Sequence, residues 1–207
     1  KKKSSDICDK KFGYFISEKK LFESINSTLN LNGRRHPITF LLEAADDIAY
    51  AAADIEDGVK LGKLNFEIIY EIFEKEMKTE EEKMILKYFK DTYEGFKCSK
   101  AMALDLAIQK FRVRTQTFMI NSIIKEFFNN YSDILKGKYK FELLENSEAK
   151  NVRGAFKILS KTVYSERTII EAELAGYKVI QGLLTEYIEA CFYEDFNNQN
   201  KGKNGRL

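Results

Sequence analysis

The sequence predicts an all-α protein, a multi-helix bundle, and three observations carry that prediction. One proline in 207 residues leaves long helices free to run without interruption. Apolar residues recur three and four positions apart along most of the chain, which is the period of a helix with one buried side. Ser, Thr or Asn repeatedly stands just ahead of such a run, where its side chain can satisfy the free N–H groups of a first turn.

The elements follow in order. Residues 1–16 read as an irregular lead-in, with Lys1–Lys3 a frayed end. Ser17 is placed to cap a helix over 17–28. Asn30 to Arg34 turn the chain, with Gly33 as the breaker. A helix follows from about 37 to 60 and ends before Gly62. Arg35-His36-Pro37 opens it, since proline lacks only an N–H that has no partner there anyway. Asn65 caps the next, with Phe66, Ile69, Ile72 and Phe73 on one face. Thr79-Glu80-Glu81-Glu82 is a capping box that leads into Met84, Ile85, Tyr88 and Phe89. Ser99 starts the longest helix, to about Leu135, with Leu104, Ala107, Ile108, Phe111, Phe118, Ile123, Ile124 and Phe127 in period; Gly137 ends it. Lys138 to Leu144 alternates for a few residues, so 138–146 can be read as a short strand pair. Two further helices run from about 148 to 163 and from 165 to 194. The tail 197–207 is rich in Asn, Gly and Lys and reads as disordered.

Composition narrows the class. Hydrophobic content of 44% with 32% charged residues describes a soluble globular protein. A net charge of +2 gives no bulk electrostatic case for nucleic acid. Cys8, Cys98 and Cys191 are three, far apart and without CxxC spacing, which argues for a reducing compartment and against a zinc site. No apolar run approaches the roughly 18 residues that would span a bilayer, so a cytoplasmic location without a membrane partner is expected. Neither GxGxxG nor GxxxxGK[ST] occurs.

The helix over 37–60 is the most informative stretch. Its interior is short-chained, with Ala44, Ala45, Ala49, Ala51, Ala52 and Ala53. Asp46, Tyr50 and Asp54 stand at i, i+4 and i+8. Each four-residue step drifts only about 40° and climbs about 6 Å, so two carboxylates and a phenol share one stripe. Aspartate is a poor helix-interior residue because it competes for backbone hydrogen bonds. On the residues alone, the stripe is either a solvated face or a cation site. Glu43, Asp47, Glu56 and Asp57 read as salt-bridging groups, and His36 as a cap or packing residue.

The run R-H-P-I-T-F-L-L-E-A-A-D-D-I-A-Y-A-A-A-D-I-E-D-G over residues 35–58 resembles the deoxyguanosine triphosphate triphosphohydrolase family. This is the dNTP-hydrolysing branch of the HD-domain metal phosphohydrolases. Lys11 to Glu18 and, more diffusely, Glu173 to Ile180 resemble it too. The resemblance implies an HD-domain-like helical bundle, present in part. It divides the chain into the C-terminal part of the catalytic domain over 17–95 and a helical C-terminal region over 96–196. It implies Asp46 as a ligand of a divalent ion such as Mg or Mn, and Tyr50 and Asp54 as the deoxyribose platform. A ring on the sugar would crowd a 2′-hydroxyl. Lys10 or Lys11 resembles a position used on the triphosphate, and Arg114 a basic residue that reaches a nucleotide.

The chain departs from the family in holding one histidine, His36, and no His-Asp pair. It opens on Lys1-Lys2-Lys3 without methionine. The resemblance therefore implies a portion of a longer enzyme whose catalytic histidines lie upstream of Lys1. That enzyme would convert a dNTP, such as dGTP, to deoxynucleoside and triphosphate, as a homo-oligomer. The other reading is a catalytically inactive regulatory or assembly module that binds dNTP or single-stranded nucleic acid.

Overall fold

The computed structural model describes residues 13–165 and 167–192, with the backbone alone at Thr168. These residues form two compact units, the first ending at Lys161 and the second beginning at Thr162. Among the described residues every regular element is a helix, so the strand pair over 138–146 does not form.

A 3-10 turn at Ile16–Glu18 leads into α1, Lys19–Thr28. Ser17 lies inside that turn and does not cap α1. The Glu18 carboxylate closes the turn by accepting from the Phe15 N–H at 3.1 Å. The loop that follows carries Asn30, Asn32 and Gly33 at positive φ. Arg34 ties it down by donating to the carbonyls of Asn30, Leu31 and Leu135 at 2.8, 2.9 and 3.1 Å. That loop fixes where α2, Pro37–Lys60, begins. His36 is its N-cap, with Nδ1 accepting from the Ile38 N–H at 3.2 Å, and Gly62 at φ +67 lies just past its end.

Asn65 caps α3, Phe66–Glu76, through an Ile68 N–H bond of 2.9 Å. The capping box opens α4, Glu80–Gly95: Glu82 accepts from the Thr79 N–H at 2.9 Å, and Thr79 accepts from the Glu82 N–H at 3.2 Å. Leu86 and Phe89 face inward, while Met84 is exposed.

Ser99 caps α5, Lys100–Asn129. The helix does not reach Leu135, because it breaks at Asn130 before α6, Tyr131–Leu135. Glu126 stands one turn before the break. Its Oε1 accepts from Asn130 Nδ2 and Tyr139 Oη, both at 2.9 Å, and from Asn146 Nδ2 at 2.6 Å. That network explains residues 138–142. Tyr139 is buried, with its ring edge-on to Phe40, while Phe141 is exposed. The alternation is real, but the segment is held by a carboxylate and leads into α7, Leu143–Asn146. Burial first, and then the Glu126 carboxylate, hold the Tyr139 hydroxyl well above the usual phenol range.

The core of the first unit is aromatic. Phe73 of α3 meets Phe111 of α5 edge-on at 4.9 Å and Phe156 at 5.1 Å. Phe89 lies 4.6 Å from Phe111. Phe156 belongs to α8, Lys150–Tyr164. Helix α5 lies against both α2 and α4. Two buried hydroxyls in α5 find acceptors within their own helix: Thr115 donates to Phe111 O and Ser122 to Phe118 O. The second unit contains α9, Arg167–Cys191.

Candidate functional site

Helix α2 divides its side chains sharply. Phe40, Ala44, Ile48, Ala51, Ala52, Ile55 and Gly58 are buried, three and four residues apart. The face turned away from the core carries Ile38, Leu42, Ala45, Asp46, Ala49, Tyr50 and Ala53, all exposed. Leu42 is 68% and Tyr50 65% exposed. The charged residues at the edges of this face are paired: Glu43 with Arg35, Asp47 with Arg153 at 3.5 Å, and Glu56 with both Lys60 and Arg112 at 2.8 Å. Asp46 and Tyr50 have no such partner among the described residues.

Asp54 is half-buried, and its Oδ2 accepts from Ser160 Oγ of α8 at 3.1 Å. The eight residues from Asp46 to Asp54 turn the stripe by about 80°, which carries its last member off the open face and toward α8. Arg153 and Ser160 stand in no sequence motif. They are seven residues apart, as are their partners Asp47 and Asp54, and both pairs ascend together. Helices α2 and α8 therefore run in the same direction, joined by two polar links about two turns apart. Nothing local in either helix signals this register.

The remaining predicted residues do not join the α2 row. Lys10 and Lys11 lie outside the described residues. Arg114 is exposed and stacks over the Tyr88 ring of α4 at 4.6 Å, while Arg112 turns to Glu56 of α2. Two positions apart on a helix, these arginines point about 200° apart. His36 is used as a cap. Among the described residues no group of three His, Cys, Asp or Glu side chains comes close enough to hold a metal ion. A cleft of about 620 Å³ lies at the start of α2, lined by Arg35, His36, Phe128 and Tyr131 among others, and one of about 530 Å³ between α3 and α4. Neither is lined by Asp46, Tyr50 or Asp54. Cys98 and Cys191 are free and exposed. No described helix is long and apolar enough to cross a membrane.

No protein-family model matches the chain. Individual proteins do. A deoxyguanosinetriphosphate triphosphohydrolase-like protein of Listeria monocytogenes is 37% identical over 197 residues, which cover 91% of this chain and 41% of the relative. One of Synechocystis is 28% identical over 86% of this chain and 39% of its own length. The deoxyguanosinetriphosphate triphosphohydrolase of Klebsiella pneumoniae is 29% identical over 86% of this chain and 36% of its own. The chain thus spans about two fifths of the length of the curated relatives it matches. By sequence, this chain is similar to a portion of proteins named deoxyguanosinetriphosphate triphosphohydrolase or deoxyguanosinetriphosphate triphosphohydrolase-like.

Proposed function

We propose that the outward row of α2 is one wall of a dNTP site in a metal-dependent triphosphohydrolase, which releases deoxynucleoside and triphosphate from dGTP or a similar dNTP. The observation that carries this reading is the character of that face. A carboxylate and a phenol stand among alanines without a partner among the described residues, on a helix where Glu43, Asp47 and Glu56 are each paired. Such a surface gives the folded chain little stability, because a largely exposed tyrosine and leucine bury little and an unpaired aspartate does not help a helix interior. It is suited to a ligand.

In this reading Asp46 is one ligand of a divalent ion. The described residues do not complete such a site, since a single carboxylate does not hold a transition metal. The other ligands would come from polypeptide outside them. The chain's own contribution is recognition. The Tyr50 ring packs on the deoxyribose and leaves no room for a 2′-hydroxyl. Asp54 accepts a hydrogen bond from the 3′-hydroxyl. The small side chains at 45, 49 and 53 let the sugar approach the helix closely. The names of the relatives support the activity, and their coverage leaves it to experiment.

The test is triphosphate release by the intact gene product with each of the four dNTPs, with and without a chelator. Release that stops on chelation and returns with a divalent metal is expected. Binding of dNTP without turnover under every metal tried would overturn the reading and favour an inactive nucleotide-binding module.

A further inference from the structure

We propose that Ser160 is a positioning residue for the Asp54 carboxylate, and so for recognition of the sugar 3′-hydroxyl; this rests on the function proposed above. Ser160 lies on α8, half-buried, and its Oγ donates to Asp54 Oδ2 at 3.1 Å across the α2–α8 contact. Aspartate has a broad second torsion, so its carboxylate plane is weakly set by its own backbone. A hydrogen bond from a second helix sets it. A carboxylate offers about four acceptor directions, and the Ser160 hydroxyl takes up one of them.

The frame behind Ser160 is firm. Seven residues earlier on the same helix, Arg153 pairs with Asp47 at 3.5 Å. Between these links α8 buries Ala155, Phe156 and Leu159 in the core of the first unit. The serine hydroxyl therefore sits at a fixed height beside α2, a short side chain whose torsion is the one freedom left. A hydrogen bond from a neutral donor to a charged acceptor is also stronger than one between neutral groups.

The mechanism makes a specific forecast. Ser160→Ala removes the donor, leaves the carboxylate in place and keeps the fold. Its effect falls on substrates that carry a 3′-hydroxyl. For a dNTP we expect kcat/KM to drop by about tenfold, in line with the loss of one hydrogen bond to a charged group. For the matching 2′,3′-dideoxynucleotide, which has no 3′-hydroxyl, little change is expected. Ser160→Thr keeps the hydroxyl and should restore most of the difference. In an Asp54→Ala background, Ser160→Ala should add nothing, because the two groups act as one unit.

The experiment is a comparison of wild type, S160A, S160T, D54A and the double variant in the intact protein, with dNTP and dideoxynucleotide as paired substrates. Melting curves confirm that each variant is folded. If wild type hydrolyses no dNTP under any metal, the proposed function fails and the role of Ser160 goes with it. If wild type is active and S160A lowers both substrates equally, or adds its full effect to D54A, Ser160 is structural only and the proposal is overturned while the function stands.

Discussion

The two faces of α2 obey different rules. The inward face is graded by size and spacing: Phe40, Ile48 and Ile55 fill the core, and Ala44, Ala51 and Ala52 let neighbouring helices close in. Each of those choices is explained by packing. The outward face is not. It leaves Leu42 and Tyr50 in water and sets Asp46 among alanines. One helix therefore separates what the fold requires from what it does not. Residues that stability fails to explain are where function is to be sought.

Four substitutions sharpen or break this contrast. The largest effect on stability is expected on the inward side, where Ile55 is fully buried. Ile55→Ala should cost about 2–5 kcal/mol in a denaturant titration. A cost under about 1 kcal/mol would mean the inward face is loosely packed. Next is Tyr139, which packs on Phe40 and donates to Glu126. Tyr139→Phe should cost about 1–3 kcal/mol, since it removes the hydroxyl and leaves the carboxylate one donor short. The pH dependence has a definite sign. A phenol held above its ordinary value of about 10 is favoured neutral in the folded state. Its contribution is fully present below about pH 10 and is lost as pH rises beyond it. Tyr139→Phe should flatten that alkaline loss; an unchanged slope would place the titration elsewhere.

The third is His36→Ala at the start of α2. Losing the cap should cost about 1 kcal/mol. The smallest effect on stability is on the outward face. Tyr50→Ala should change stability by no more than about 0.5 kcal/mol while raising turnover of ribonucleotides relative to deoxynucleotides. A large loss of stability with unaltered sugar preference would make Tyr50 a packing residue and erase the difference between the faces.

Local chemistry was readable from sequence, and tertiary chemistry was not. Pro37, Asn65, Thr79 and Ser99 announce their helices, because a cap acts within one turn of itself. The spacing of Asp46 and Tyr50 places both on one exposed face, whereas Asp54 turns off that face toward Ser160 of α8. Ser17 misleads because Glu18 closes a turn ahead of α1. The loop over 138–142 escapes the pattern because Glu126 gathers Tyr139 and Asn146 from segments distant in sequence. Met84 and Leu86 show the limit of apolar spacing: both fit a helix, and only the packing decides that Leu86 goes in. Ser160 has no signature of its own, since its role comes from the register of α8 against α2.

The most direct test of the outward face is Asp46→Ala in the intact protein, measured for metal content, triphosphate release and melting temperature together. The expected result is a melting curve within experimental error of wild type, with bound metal reduced and hydrolysis at background. Full metal occupancy and normal hydrolysis in that variant would contradict the account at its centre.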